Sequence, residues 1–245
     1  MTRRRFFVPP ENIRGAQIIF REEDWRHIKN SLRLGEGDII YAFDGQGAEY
    51  QVRLNSPEAG ELSGKILERL PAGNESPASI ILGLGMLKGK KFDDIIRPLV
   101  ELGLSGLYPI TMKRSIPQKD IREAKLKRWR EIIHQAVRQS ERSVTPDLPD
   151  SSIDLETFCQ RFEGVSLKLI LWEEENARRL TDLPNVSAAP SIACICGPEG
   201  GITPEEVDLA RRYGFQSIRL GPRILKAETA PIAILSILQY LYGDF

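Results

Sequence analysis

A chain of 245 residues with 41% hydrophobic content is long enough to bury two packed cores, and its 34 basic and 34 acidic side chains leave no formal net charge. That balance excludes a uniformly basic or acidic protein, and no apolar run approaches the roughly 20 residues that a bilayer-spanning helix needs. His27 and His134 lie far apart with no ligand-spaced cysteines or carboxylates nearby, so neither a metal site nor a histidine-based triad is expected. Cys159, Cys194 and Cys196 make no disulfide framework, and no long apolar stretch follows Arg3, Arg4 and Arg5, which together point to the cytoplasm.

The first 72 residues read as short strands at 5–8, 16–20, 38–43, 49–54 and 61–68, with Asp44-Gly45 marking a hairpin. One helix interrupts them at 22–34, opening in an acidic turn and closing at Gly35. Such a run of short strands suggests a small β-barrel-like domain, and residues 71–77, rich in Pro and Gly, form a linker. From Ser79 apolar strands (79–85, 106–111, 167–172, 191–196, 217–220) alternate with helices (92–102, 119–142, 155–161, 204–213, 227–242). This alternation predicts an α/β domain whose largely parallel sheet is covered on both faces. Thr203-Pro204-Glu205-Glu206 is a capping box with proline at the first helical position, and Gly214 closes that helix.

Charge is unevenly placed. Between Lys113 and Arg142 stand ten basic residues and four acidic ones, a composition shared by phosphate-binding surfaces and by ordinary solvated helix faces. The terminal helix carries Ile232, Ile234, Leu235, Ile237, Leu238 and Leu241, spread too widely for one stripe. One face can cover the sheet while the other, with Leu238 placed on it, faces a partner.

Gly83-Leu84-Gly85 lacks the third glycine of a dinucleotide fingerprint, because Lys88 stands there, and residues 85–91 lack P-loop spacing. The informative loops come later. Gly197-Pro198-Glu199-Gly200-Gly201 follows a buried strand, and Leu220-Gly221-Pro222-Arg223-Ile224-Leu225-Lys226-Ala227-Glu228-Thr229-Ala230 follows the next and opens the terminal helix. Both sit at strand C-termini, where open α/β sheets bind ligands. Glycines there let main-chain groups approach an adenine held between apolar side chains such as Ile224 and Leu225. A pair of tight turns is the competing reading of either loop taken singly.

These two loops resemble the signature of the ribosomal small-subunit RNA uracil-N3 methyltransferase family, RsmE type, within the SPOUT superfamily of trefoil-knotted methyltransferases. The similarity runs nearly end to end: Arg5-Phe6-Phe7-Val8, His27 through Leu32-Arg33, Gly37-Asp38, Asp44-Gly45-Gln46-Gly47, Glu49-Tyr50, Lys88-Gly89 with Lys91, Glu101-Leu102-Gly103, Arg114-Ser115, Arg128-Trp129, Gln139-Ser140, Arg142 and Pro146 fall in family order. The chain departs from the pattern at Lys90, Arg97-Pro98, Lys113 and Arg138, changes that add positive charge and leave the cofactor loops intact.

The resemblance implies a PUA-like RNA-binding β-barrel over residues 1–72, an α/β trefoil-knot methyltransferase domain over 78–245, a homodimer, and S-adenosylmethionine as cofactor. It implies methylation of N3 of a uridine in 16S ribosomal RNA or the small ribosomal subunit, with no membrane and no metal. Cofactor contacts are expected from Leu171, Trp172, Gly197, Pro198, Glu199, Gly200, Gly201, Leu220, Gly221, Ile224, Leu225 and Thr229. RNA contacts are expected from Arg5, Arg33, Lys88, Lys91, Lys125, Arg128, Gln139 and Arg142. Deprotonation of N3 places negative charge on O2 and O4, which a guanidinium stabilises with paired hydrogen bonds, so Arg5, Arg114, Arg142 and Arg223 are the catalytic candidates. Glu199, Glu228, Glu101 or water would accept the proton. N3 lies on the pairing edge, so the target base must be unpaired or extruded. Two alternatives share the fold: a knotted methyltransferase acting on another RNA nucleotide, and a catalytically silent RNA-binding ribosome-assembly factor.

Overall fold

The structure, a computed structural model, describes residues 4–56, 63–71, 73–115, 121–183 and 190–245. The predicted strand start at 61, Ala72 in the linker and the predicted helix start at Lys119 lie outside them. The chain divides into two compact units, Met1–Glu75 with Val137–Thr145, and Ser76–Ala136 with Pro146–Phe245.

The first unit holds a six-stranded sheet of β1 (Arg5–Phe7), β2 (Ile13–Arg14), β3 (Gln17–Ile19), β4 (Ile39–Phe43), β5 (Glu49–Leu54) and β6 (Ser63–Leu70), in the order β1-β4-β5-β6-β3-β2. Only β1 and β4 pair in parallel. Period-two alternation sends Phe6, Ile18, Ile40, Ala42, Val52 and Leu54 into one core. The Asp44-Gly45 turn forms as its sequence demands: Asp44 Oδ1 accepts from the Gln46 and Ala48 amides at 2.8 and 3.0 Å, and Gly45 takes φ 74°. The helix expected over 22–34 is shorter and mixed. An α-helical turn, α1 (Glu22–Arg26), passes into a π-helical turn at His27–Ser31, closed by Leu32 N to His27 O at 3.0 Å. The chain then leaves through Arg33 at φ 55°, before Gly35 is reached.

The face of this sheet opposite the core is covered over β1, β4 and β5 by residues 137–145 of the same unit. Arg5 is 3% exposed. It donates to both carboxylate oxygens of Glu49 at 3.0 and 3.2 Å and to the Arg142 carbonyl at 2.9 Å, with its guanidinium 4.8 Å above Phe43. Glu75 completes the closure by accepting from Arg142 Nε and Nη2 at 3.1 and 2.9 Å and from the Ser143 and Val144 amides at 2.7 and 2.9 Å.

The second unit is built on a parallel sheet of β7 (Ser79–Gly85), β8 (Gly106–Thr111), β9 (Ile153–Asp154), β10 (Leu167–Leu171), β11 (Ser191–Cys196) and β12 (Gln216–Ile218), in the order β12-β10-β11-β7-β8-β9. Successive residues of β7 and β11 are buried on both faces, which is why these strands read as unbroken apolar runs. The helices are α2 (Lys91–Glu101), α3 (Glu123–Gln139), α4 (Leu155–Arg161), α5 (Pro204–Arg212) and α6 (Thr229–Tyr242). Helix α3 is shorter than the predicted 119–142, and its last three residues belong to the first unit. Thr203 caps α5 as expected, accepting from Glu206 N while Glu206 Oε2 accepts from Thr203 N. Phe92 of α2 stacks on Trp129 of α3 at 4.3 Å, and Trp129 Nε1 donates to Asp93 Oδ1 at 2.6 Å. Gln239 of α6 is fully buried and satisfied, donating to the Leu102 carbonyl and accepting from Ser76 Oγ.

All three cysteines are free and buried. Among the described residues no helix is long and apolar enough to cross a membrane, and no group of three His, Cys, Asp or Glu side chains could hold a metal.

Candidate functional site

The C-terminal ends of β10, β11 and β12 open into a cavity of about 530 Å³ within the second unit, a volume typical of small-ligand sites. Leu171, Trp172 and Glu173 enter it from β10, Cys196 to Glu199 from β11, and Ile218 to Leu220 from β12. The segment before α6 supplies Arg223 to Glu228, and the first turn of α6 supplies Ala230. Packing holds the first loop close to the sheet: a Cβ on Gly85 would lie 2.6 Å from Pro198 Cδ, so β7 can end only in glycine where this loop crosses it. Gly201 takes φ 73°, and a Cβ there would run into the Glu173 carboxylate.

The wall is apolar where the second loop faces the sheet. Ile224 is 83% exposed although it lines a concavity, so its surface is left for something other than the protein to cover. Trp172 has Arg211 5.6 Å from its ring, and Arg211 is itself held by Glu175 Oε2 at 3.3 Å and Ser217 Oγ at 2.8 Å. The Trp172 indole N–H is buried with no hydrogen-bond partner.

The rim is charged. Lys91 Nζ lies 3.3 Å from Glu199 Oε1 and 3.3 Å from Glu228 Oε2, so one ammonium joins the two Gly-rich loops to the start of α2. Glu228 chiefly, with Glu199, raises the Lys91 pKa above the ordinary lysine value. Burial works against ionisation of Glu199, yet the Lys88 amide at 3.0 Å, its own amide and Lys91 together hold its carboxyl below the usual range. Glu228 is lowered by its own backbone N–H, against burial, and then by Lys91. All three groups are charged at neutral pH.

Leu171, Trp172, Gly197, Pro198, Glu199, Gly201, Leu220, Ile224 and Leu225 line the cavity, as does Arg223. Gly200, Gly221 and Thr229 do not. Gly200 instead makes room for Arg114, whose Nη1 donates to the Gly200 carbonyl at 3.0 Å, and Thr229 faces a neighbouring depression with Asp94 and Ile232. Arg5 and Arg142 are buried in ion pairs with Glu49 and Glu75. Arg33, Lys88, Arg128 and Gln139 are exposed and Lys125 half-buried. Arg128 pairs with Asp93 at 2.8 Å and Lys125 lies 5.0 Å above Trp129. Leu238 is fully buried, so the outward face of α6 is instead Ile237, Tyr240 and Leu241. Glu173, Cys196, Ile202, Arg219 and Lys226 line the cavity without having been singled out from the sequence.

The model of the RNA methyltransferase domain family matches residues 74–239, and that of the RNA methyltransferase PUA domain matches residues 20–67. A Synechocystis protein named ribosomal RNA small subunit methyltransferase E is 33% identical over 95% of this chain and 76% of its own. A crystal structure of ribosomal RNA small subunit methyltransferase E from Neisseria gonorrhoeae, bound to S-adenosyl methionine, superposes with TM-score 0.84 at 33% identity over 99% of both chains. A Legionella pneumophila methyltransferase in complex with bound SAM superposes with TM-score 0.86 at 30% identity over 100% of both.

Proposed function

The chain belongs to the ribosomal RNA small subunit methyltransferase E family, and from that membership we propose that it methylates N3 of one uridine in 16S ribosomal RNA with S-adenosylmethionine as donor. The observation that carries this reading is the cavity between the two Gly-rich loops. Its residues fit the cofactor: Leu171, Ile218, Ile224 and Leu225 offer apolar surface to an adenine. Glu173, Glu199 and Glu228 set negative charge around a site for a sulfonium cation. When bound, S-adenosylmethionine supplies the activated methyl group.

The protein's own part is alignment and charge stabilisation. Arg114 and Arg223, both exposed beside the loops, are the guanidinium groups free to meet developing charge on uracil O2 and O4. Glu199 and Glu228, held ionised through Lys91, fasten the loops and are weak bases. Glu101 stands at the far end of α2 from Lys91, about 15 Å away along the helix, which leaves water as proton acceptor. The exposed Lys88, Lys127 and Arg128 are suited to phosphates.

Incubation of 16S ribosomal RNA with the protein and labelled S-adenosylmethionine should give 3-methyluridine, one per RNA, by nucleoside mass spectrometry. Methyl on a different nucleotide would identify the alternative knotted enzyme, and cofactor binding without any transfer the silent assembly factor.

The same membership supports a cytoplasmic enzyme with a barrel over 1–72, to which 137–145 is added, and a trefoil-knotted domain over 78–245. The packing of α6 on α2 and β7, behind the loop that faces residues 197–201, is consistent with such a knot. A homodimer would use the outward face of α6, where Tyr240 is 73% and Leu241 45% exposed. Leu241→Glu is expected to yield folded monomers by light scattering with unchanged circular dichroism, because a carboxylate buried unpaired in an interface is costly. An intact dimer would place the interface elsewhere. Leu238→Glu should instead unfold the domain.

A further inference from the structure

We propose that Glu206 is a positioning residue for Arg114, acting through the main chain of the turn formed by Met112 to Ser115; this rests on the reading of Arg114 as a guanidinium that meets charge on the uracil. In a capping box the glutamate needs only one carboxylate oxygen, which accepts from the N-cap amide, and the other ordinarily faces water. Here Glu206 is 5% exposed and both of its oxygens are used. Oε2 accepts from Thr203 N at 2.9 Å, within the cap of α5, and Oε1 accepts from Lys113 N at 2.7 Å, 93 residues earlier in the chain. An amide bonded to a carboxylate is held more strongly than one bonded to a neutral acceptor, so this contact outweighs the exposed Lys113–Glu205 ion pair beside it.

The consequence falls on the next residue. The turn follows β8 and closes on itself, with Ser115 N donating to the Met112 carbonyl at 3.0 Å and Met112 N to Ser115 Oγ at 3.2 Å. Attachment to α5 at Lys113 therefore fixes the turn as a whole, Arg114 included. Arg114 lies so close to the 197–201 loop that a Cβ on Gly200 would be 2.8 Å from Arg114 Cβ and 3.2 Å from its carbonyl oxygen, and Arg114 Nη1 donates to the Gly200 carbonyl at 3.0 Å. That loop lines the cavity and runs through Ile202 into Thr203, so one carboxylate holds both the end of the cavity loop and the turn that carries the guanidinium. Arg114 is exposed, so its backbone anchor, and not burial, decides where its charge stands. Displacing a reacting or stabilising group by about 1 Å can cost on the order of 100-fold in rate.

The test measures methyl transfer from labelled S-adenosylmethionine to 16S ribosomal RNA with both at saturation. In Glu206→Gln the amide oxygen stays on the buried Thr203 N–H and the NH2 group turns on the partly exposed Lys113 N–H, donor against donor, so the cap survives and the turn is released. kcat should fall at least about tenfold, while S-adenosylmethionine affinity by calorimetry stays within about twofold of the parental value. Glu206→Ala, which loses both contacts, should fall at least as far. Thr203→Ala weakens the same cap but leaves Lys113 held, so its thermal midpoint should drop by about 2–4 °C with kcat unchanged. In an Arg114→Ala background, either substitution at Glu206 should cost no further rate, which a general loss of stability would not produce. Parental kcat in both Glu206 variants, or an undiminished loss in the Arg114→Ala background, would overturn the proposal. A fall in S-adenosylmethionine affinity that matches the fall in kcat would also overturn it and make Glu206 a support of the cofactor loop. If Arg114→Ala itself transfers methyl at the parental rate, or the parent transfers none, the reading of the site fails and the role of Glu206 falls with it.

Discussion

Replacing Arg5 by Met is expected to destabilise the first unit by about 3–5 kcal/mol, the usual result of removing one partner from a buried ion pair. The side chain is closed off from solvent, spans both oxygens of Glu49 and also serves the carbonyls of Val137, Arg138 and Arg142. Met would fill similar volume above Phe43 but remove the two charged hydrogen bonds that Arg5 gives the buried Glu49 carboxylate. Urea denaturation followed by fluorescence should show an earlier transition, and the double variant Arg5→Met, Glu49→Met should recover much of the loss, because an apolar pair replaces the ionic one. Calorimetry should find S-adenosylmethionine affinity at the parental value. Parental stability combined with abolished methyl transfer would return Arg5 to the reaction itself.

Gly201→Val is expected to lower S-adenosylmethionine affinity by at least about 100-fold, equivalent to ~2.7 kcal/mol. Two costs combine. A branched residue at φ 73° carries roughly 1–3 kcal/mol of backbone strain, and its Cβ displaces the exposed Glu173 carboxylate from its place in the cavity wall. Gly221→Val separates the two costs. Gly221 has φ 90°, but a Cβ there meets nothing within 4 Å, so strain acts without collision and a loss of about tenfold is expected. Calorimetry on both variants, with circular dichroism to verify folding, measures the difference. Equal and near-parental affinities would remove the 197–201 loop from the binding site.

The strands were the most legible part of the fold. β5, β7, β8 and β11 have the limits read from sequence, because apolar alternation in one and unbroken apolar runs in the others end at polar or glycine residues. β2 and β9 escaped because two residues cannot show a period. The π-helical turn after α1 escaped because His27 to Ser31 carry ordinary helical residues, and only the path to Arg33 reveals the extra residue per turn. In the site, the two glycine loops were legible as motifs, whereas their facing partners were not. Glu173 and Ile202 reach the cavity because β10 and β11 end side by side in the parallel sheet, a pairing that no local pattern encodes. Arg5 and Arg142 looked available because residue type carries no information on a partner 44 or 67 positions away. Leu238 and Leu241 lie three residues apart on one apolar helix, and the neighbours that bury the first leave the second open.

The return of residues 137–145 to the first unit sets an order of events during protein synthesis. Gly47 N donates to the Ser143 carbonyl at 3.1 Å and Thr145 N to the Gly45 carbonyl at 2.8 Å, so the hairpin that follows β4 is completed by chain made about 100 residues later. A nascent barrel ending at Glu75 would hold the Arg5–Glu49 pair open to water and would leave Glu75 without the amides it binds. Domains generally fold as units from the N-terminus as they emerge from the ribosome, yet here the first cannot close until much of the second has been translated. Folding of the N-terminal barrel is therefore tied to the arrival of α3, and a chain cut at the linker should yield a loosened sheet and not an autonomous module.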